Sequence, residues 1–163
     1  RATFPAWLGG GPILPATRVI AESGPRRVAV ALELGPADPA VLAHLRGMAL
    51  PADAEVVLMH VAESAASRYL GPDSLDEESR EDLDALEKLA GDLGVSGLRA
   101  RVMLGNGDVK SELVRMVEES EADLLITGSH GHRLLGDLIH GATTSGLRHR
   151  VRCPVLTIPR RRS

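Results

Sequence analysis

The sequence is poor in aromatic residues and in cysteine. Aromatic side chains make up 2% of the 163 residues, whereas hydrophobic residues make up 44%. Any core must therefore be aliphatic, which is typical of parallel strands covered by helices. Cys153 is the single cysteine, so an intrachain disulfide and a cysteine-based metal cage are excluded. This composition is compatible with a reducing compartment such as the cytoplasm, and one domain is the simplest organisation at this length.

Several functional classes lack their sequence signatures here. The sequence has no run of 18 apolar residues, so neither a membrane span nor a signal peptide is predicted. The G-x-x-x-x-G-K-[ST] pattern of P-loop NTPases and the G-x-S-x-G pattern of hydrolases are both missing. Basic residues are few and have no aromatic stacking partners among them, which argues against nucleic-acid binding.

Charge is distributed unevenly along the chain. The net charge is −3, yet residues 128–163 hold seven arginines and one acidic residue, so this part carries +6 and the rest −9. The basic end favours an anionic ligand there. Residues 161–163 are interpreted as a solvated basic tail, and the acidic stretch 73–87 as the solvated face of a helix.

Apolar segments alternate with amphipathic ones after residue 24. Residues 1–24 are rich in glycine and proline and are interpreted as a linker or tail. The chain starts with Arg1 rather than Met, which fits a piece of a longer protein and processing equally well. The five apolar segments predict strands at 27–32, 56–61, 98–103, 124–127 and 154–158. The fold predicted over 25–160 is α/β, an open doubly wound five-stranded parallel sheet sandwiched by helices.

The helix boundaries are predicted from capping residues. Asp38 is expected to be the N-cap of the first helix, with Pro39 at its first position and Pro51 ending it. Asp108 is expected to cap a later helix after a turn at 105–108. A last helix is expected around 144–151. Strands one and four are expected to flank the point where strand order reverses, so that both aim their loops at one crevice.

A glycine-rich loop follows the fourth strand. Gly128, Gly131 and Gly141 have the spacing G-x2-G-x9-G. Small residues at the carboxyl end of a buried strand let backbone N–H groups approach a ligand closely, and a helix N-terminus beyond adds partial positive charge. The loop is therefore predicted to bind the phosphates of a nucleotide.

This glycine spacing, together with Arg148-His149 and Cys153-Pro154-Val155-Leu156, resembles the universal stress protein family over about residues 26–159. The resemblance implies a five-stranded parallel sheet that is commonly dimeric through its last strand. It also implies binding of ATP or a related adenine nucleotide, with or without Mg. A likeness of residues 68–71 and the acidic helix to domains fused to bacterial transporters makes a tether to a membrane transporter an open alternative.

The resemblance transfers to particular positions. It implies that the adenine nucleotide contacts Ala31, Leu32, Val61, Thr127, Gly128, His130, Gly131, His132, Arg133, Gly141, Ala142, Thr143 and Thr144. Ala142 stands where the family has Ser or Thr, which removes one hydroxyl donor, although Thr143 and Thr144 follow directly. Leu32 stands where the family often has an Asp that meets the nucleoside, and Glu33 is next in the chain.

The histidines and the cysteine are the residues that could support metal binding or catalysis instead. Two histidines, His130 and His132, flank Gly131, but a glycine between them gives no fixed ligand geometry, so no metal site is predicted. His60, inside an apolar strand, is expected to be a hydrogen-bonded core residue, and Cys153 is expected to pack rather than react. No catalytic residue is predicted, and ATP hydrolysis is expected to be slow at most. The predicted function is a nucleotide-binding regulatory or stress-response domain; the alternative is a protein-interaction domain that keeps the loop as a scaffold.

Overall fold

The computed structural model describes residues 22–62, 77–128 and 150–159. In these ranges the chain forms strands β1 (Arg27–Ala31), β2 (Glu55–Ala62), β3 (Arg99–Asn106), β4 (Leu124–Gly128) and β5 (Val155–Ile158). Three helices lie between them: α1 (Asp38–Arg46), α2 (Glu77–Val95) and α3 (Val109–Glu119). The sheet has the order β3-β2-β1-β4-β5, and all four of its strand pairs are parallel. The predicted fold class is confirmed.

The core consists of two aliphatic clusters, one on each face of the sheet. Alternate residues of β1 belong to different clusters, as the period of two requires: Val28 and Val30 lie on one face, Ala29 and Ala31 on the other. The first face packs against α1 and α2, with Leu86 of α2 fully buried. The second face packs against α3. The residues that α3 buries are those that the sequence predicts: Val109, Leu113, Met116 and Val117.

Two of the predicted helix boundaries are wrong. Helix α1 begins at Asp38, and its N-cap is Ala37, whose methyl side chain cannot accept a hydrogen bond. The Asp38 carboxylate bonds the preceding loop instead. The helix ends at Arg46, where Gly47 closes the last turn through its N–H group, well before Pro51. The cap of α3 is as predicted, since the Asp108 side chain accepts from the N–H of Ser111.

The third strand is longer than predicted, and the turn after it is shorter. β3 continues through Gly105 to Asn106, which pairs with Ala62 of β2. These two residues have turn propensity, but the strand partner offers hydrogen bonds that extend the ladder over them. The chain turns at Gly107, whose φ of 104° is in the left-handed region that favours glycine. Most of the last predicted helix lies outside the described residues.

Candidate nucleotide-binding site

The sheet order changes direction between β1 and β4. Strands β2 and β3 follow on one side of β1, whereas β4 and β5 lie on the other. Ala31 pairs with Thr127, so the carboxyl ends of the two strands lie side by side. Loops that leave such a pair diverge to opposite faces of the sheet and open a crevice between them. The pairing confirms that strands one and four flank this point, as the sequence predicts.

The described residues of the predicted site divide between the two faces of the sheet. Ala31 and Val61 belong to the cluster on the α3 face, and Thr127 lies on the same face because it follows Leu125 by two positions in β4. Leu32 is fully buried in the opposite cluster, against α1 and α2. The first three therefore lie on the α3 face of the sheet, and the side chain of Leu32 lies on the other face.

Leu32 is held through its main chain. Its N–H donates to the carbonyl oxygen of Met59 at 2.9 Å, and its own carbonyl oxygen lies 2.9 Å from Nδ1 of His60. Its side chain is sequestered among Val41, Leu42 and other aliphatic residues. Leu32, which was expected to contact a nucleoside, is therefore a core residue of the α1 face.

Gly128 is the last residue of β4 and pairs with Ile158 of β5. A Cβ atom added to Gly128 would lie 3.5 Å from Cγ2 of Val41 and 3.6 Å from Cβ of Ala37, which is ordinary van der Waals contact. The described packing therefore does not demand a glycine here. The other predicted loop residues, His130, Gly131, His132, Arg133, Gly141, Ala142, Thr143 and Thr144, lie outside the described residues and stay predictions.

A buried carboxylate that sequence reasoning assigned to helix capping lies beside the crevice. Asp38 is 6% exposed. Its Oδ1 accepts from the N–H of Glu33 at 3.2 Å and its Oδ2 from the N–H of Gly35 at 3.1 Å. Burial raises the pKa of Asp38 above its ordinary value, and the loop N–H groups and the His60 ring oppose that rise. The one sequence signal was an Asp only a few residues after an apolar strand, within reach of the loop backbone.

His60 is a hydrogen-bonded core histidine, as expected. It is 8% exposed. Besides the contact with Leu32, its Nε2 lies 3.4 Å from Oδ2 of Asp82 in α2. Carbonyl and carboxylate oxygens both only accept, so the ring donates in both contacts when both nitrogens carry hydrogen. His60 thus connects β2 to the end of β1 and to α2.

The end of β3 borders the same face of the sheet. Gly105 pairs with Val61. A Cβ atom at Gly105 would come within 3.1 Å of both Oε2 of Glu112 and Cε of Met116. Hydrogen bonding from Arg115 lowers the pKa of Glu112. Both glycines of the Gly105-x-Gly107 pair therefore have a structural explanation. Gly105 allows α3 to approach closely, and Gly107 adopts a left-handed turn.

A cavity of about 440 Å³ lies at the amino ends of the strands, opposite the crevice, and charged residues of both signs line it. Its charges satisfy one another: Arg27 lies 2.8 Å from Glu121, and Arg26 lies 3.8 Å from Asp53. Asp123 accepts from the N–H groups of Arg26 and Arg27. Since these groups are paired within the protein, the cavity is a poor candidate for a ligand site.

The described part of the chain holds neither a metal-binding cluster nor a membrane-spanning helix. In residues 22–62, 77–128 and 150–159, no group of three or more His, Cys, Asp and Glu side chains is placed to hold a metal ion. None of the helices described there has the length and apolar character needed to cross a bilayer. Cys153 is buried in the cluster on the α3 face, where it packs as expected.

Known proteins match this chain in sequence. Universal stress protein Slr1230 of Synechocystis is 30% identical over 117 residues, which are 72% of this chain; the match spans 37% of that protein's own length. Universal stress protein A homolog 1 of Coxiella burnetii is 25% identical over 143 residues, covering 82% of this chain and 95% of the relative.

Solved structures match it in fold. The structure of the protein MJ0577 superposes with a TM-score of 0.64 at 23% identity, covering 85% of this chain and 98% of the other. A universal stress protein in complex with cAMP gives 0.61 at 17% identity, covering 82% of this chain and 97% of the other. One from Archaeoglobus fulgidus in complex with dAMP gives 0.54 at 18%, covering 81% and 96%.

The family model described as "Universal stress protein family" matches residues 24–159, which is most of the chain and includes all five strands. The parallel sheet in the order β3-β2-β1-β4-β5 agrees with the superposed structures. The chain therefore belongs to the universal stress protein family.

Proposed function

We propose that this chain binds an adenine nucleotide in the crevice between β1 and β4 and acts as a regulatory or stress-response domain. The observation that carries the proposal is the pairing of Ala31 with Thr127, which places the carboxyl ends of β1 and β4 together at the reversal of strand order. β4 then runs directly into Gly128, the first glycine of the G-x2-G-x9-G loop. Structural neighbours solved with cAMP and with dAMP support an adenine ligand.

The proposal assigns the two halves of the ligand to different residues. The adenine would lie against Ala31 and Val61, whose small and aliphatic side chains face the same side of the sheet. The phosphates would accept from backbone N–H groups of the glycine loop, helped by His132 and Arg133 as donors. Any Mg would be held by the phosphates of ATP. Nucleoside recognition passes to Glu33, since Leu32 is buried.

Isothermal titration calorimetry with ATP, AMP and cAMP tests the proposal. Gly131→Val adds a β-branched side chain where backbone must approach the phosphates, so it is expected to abolish binding. Gly91→Ala in α2 is the matched control, because no described heavy atom lies within 4 Å of its added Cβ. Failure of all three nucleotides to bind the wild-type chain at millimolar concentration would reject the proposal.

A second candidate is a protein-interaction domain that retains the loop as a scaffold. The specific observation in its favour is the burial of Leu32, combined with Ala142 in place of the hydroxyl residue of the family. In this reading the partner is a second copy that pairs with β5 at the end of the described sheet, or a membrane transporter to which residues 1–24 tether the domain 25–160. The calorimetry above separates the two candidates, and turnover of ATP above the Gly131→Val background would instead indicate an enzyme.

A further inference from the structure

Strand β3 is the longer of the two edge strands of the sheet. It stands first in the order β3-β2-β1-β4-β5 and pairs with β2 along all eight of its residues. Within residues 22–62, 77–128 and 150–159, no strand pairs with its outer side. A strand in this position presents unpaired backbone groups, to which another extended segment can bond.

The hydrogen-bond register shows which backbone groups of β3 point outward. The N–H of Gly107, just after the strand, donates to the carbonyl oxygen of Ala62 in β2 at 3.3 Å. Parallel pairing repeats every two residues, so the odd-numbered residues of β3 bond to β2. The N–H and C=O groups of Ala100, Val102 and Leu104 therefore point away from the sheet. These groups are called the outer edge of β3 below.

The outer edge of β3 differs from the opposite edge of the sheet in how it is protected against pairing. Proteins protect edge strands by making them short, by proline or by bulges. β5 has four residues and directly follows Pro154. β3 has eight residues and no proline, and its pairing with β2 runs from Arg99 to Asn106 without a bulge. β3 is therefore the edge that is suited to strand addition.

The two faces of β3 differ in chemistry. Ala100, Val102 and Leu104 are half-buried apolar residues packed against the cluster on the α1 and α2 face. Arg99 and Arg101 alternate with them and are exposed on the α3 face. The side chains of an added strand alternate in the same way, and each faces a neighbour on its own side of the sheet. One side of such a strand would therefore lie beside apolar residues and the other beside two arginines.

The two arginines have few acidic partners within the protein. Nε of Arg101 lies 3.3 Å from Oε1 of Glu55, but Oε2 of the same carboxylate lies 3.7 Å from Nε of Arg27. Arg99 donates to the carbonyl oxygen of Asp53 at 2.7 Å, and no carboxylate of the described residues lies within 4 Å of its guanidinium. The α3 face of this edge therefore favours acidic side chains in a partner.

A second copy of this chain fits the outer edge less well. Helix α2 packs on β3, and its exposed residues include Glu81, Asp84 and Glu87. Pairing of two β3 strands would bring two such helices to adjacent positions on one face of the sheet, where their like charges repel. The charges favour a different chain with an acidic segment.

We propose that the outer edge of β3 binds an extended segment of a protein partner in which acidic residues alternate with apolar ones. The segment adds a sixth strand to the sheet. Its acidic side chains face Arg99 and Arg101, and its apolar side chains extend the cluster beside Val102. The inference is independent of the proposed nucleotide binding, because β2 separates β3 from the crevice between β1 and β4.

Fluorescence anisotropy with a labelled seven-residue peptide of alternating glutamate and valine tests the proposal. The wild-type chain is expected to bind this peptide saturably and to bind its lysine–valine counterpart about tenfold more weakly, since the charges then repel. The glutamate–valine peptide with N-methyl groups on its three central residues lacks backbone donors along both sides. It is expected not to bind, whereas purely ionic attraction would leave its binding unchanged.

Two substitutions locate the site on β3. Val102→Pro removes an outward N–H and puts the proline ring at the outer edge, while the bonds to β2 come from other residues, so peptide binding should be lost. Val102→Thr keeps the N–H group and favours a strand, and this matched control should still bind. Arg99→Glu should weaken binding of the glutamate–valine peptide about fivefold and strengthen that of the lysine–valine peptide. Circular dichroism verifies that each variant is folded.

The outcomes decide whether this edge is a binding surface or only a protected one. Exposed arginines can also serve to prevent pairing, and in that case neither peptide binds the wild-type chain at millimolar concentration, which would overturn the proposal. Equal binding of the two peptides, or unchanged binding in a folded Val102→Pro variant, would also overturn it. If Val102→Pro does not fold, Arg99→Glu and the N-methylated peptide still decide, because unchanged binding in both would reject strand addition at β3.

Discussion

Asp38 and Asp123 hold opposite ends of the same strand. Asp123, at the start of β4, accepts from the N–H groups of Arg26 and Arg27 at 2.9 and 3.1 Å, where β1 begins. Asp38 accepts from Glu33 and Gly35 just after β1 ends. Each carboxylate uses both oxygens on backbone donors. The two differ in environment, because Asp38 is buried at the crevice whereas Asp123 lies among exposed ion pairs.

Burial of Asp38 has a consequence for the dependence of stability on pH. Its pKa is raised above the ordinary value of 3.8, so the native state binds this proton more tightly than the unfolded state. The stability that Asp38 contributes is present below its ordinary pKa and is lost as the pH rises through its raised native value. The free energy of unfolding of the wild type, minus that of Asp38→Asn, should therefore fall in urea titrations as the pH rises above 3.8.

Asp108→Asn is the control, because its effect on stability should change with pH in the opposite direction. Hydrogen bonding from Ser111 lowers the pKa of Asp108, so its contribution is present above its ordinary pKa and is lost as the pH falls. Glu33, His60 and Asp82 are the ionisable side chains near Asp38, and all three are retained in Asp38→Asn. A difference for Asp38→Asn that grows with pH would contradict desolvation as the dominant cause.

Two glycines should respond to alanine with opposite signs. Gly105→Ala places a methyl group 3.1 Å from Oε2 of Glu112 and Cε of Met116, so the end of β3 or helix α3 must shift. We expect the free energy of unfolding to fall by about 1–3 kcal/mol. Gly91→Ala lies inside α2, where no described heavy atom is within 4 Å of the added Cβ, and should raise stability by about 0.5–1 kcal/mol.

Chemical denaturation of both alanine variants measures these changes. Equal midpoints for wild type and Gly105→Ala would show that α3 approaches β3 less closely than the structure indicates. The slope of the unfolding free energy against denaturant should stay constant, since neither change alters the surface exposed on unfolding.

Loss of the His60 ring should leave a buried acceptor unsatisfied. His60→Leu puts an apolar side chain in the core but removes the donor to the carbonyl oxygen of Leu32. Because a buried acceptor is then left unsatisfied, the free energy of unfolding should fall by about 1–3 kcal/mol. His44→Leu on the exposed face of α1 is the control, expected to change stability by less than about 0.5 kcal/mol. Thermal and urea unfolding measure both, and a His60→Leu variant as stable as His44→Leu would contradict the role of the hydrogen bond.

The fold followed from sequence because its signals are repeated and local. Five apolar segments separated by amphipathic ones leave few topologies once right-handed crossovers are required. The order β3-β2-β1-β4-β5 then places β1 beside β4, as the glycine loop after β4 had suggested. The burial of Leu32 on the α1 face could also have been read from its alternation with Ala31.

The role of Asp38 could not be read in the same way. Asp-Pro marks a helix start, but a difference of one residue decides whether the aspartate caps the helix or begins it. That register depends on the left-handed turn at Leu34, and leucine gives no signal for such a turn. Likewise, Gly105 and Asn106 have turn propensity, and their pairing with β2 depends on the neighbouring strand rather than on local sequence.

The edge strand β5 gives the last prediction, which concerns assembly. The carbonyl of Pro154 accepts from the N–H of Leu125 in β4, and parallel pairing repeats every two residues, so the backbone groups of Val155 and Thr157 point away from β4. Thr157 is exposed. If two copies pair through residues 154–158, the N–H group of Thr157 is a donor at their interface. Thr157→Pro removes this N–H group, and the hydrogen bonds between β5 and β4 are kept.

Thr157→Pro is therefore expected to convert a dimer into a monomer, whereas Thr157→Val, which keeps the N–H group and favours a strand, should stay dimeric. Sedimentation velocity over a range of protein concentrations measures both. A wild-type chain that sediments as a monomer throughout, or a Thr157→Pro variant that remains dimeric, would place any self-association on another surface.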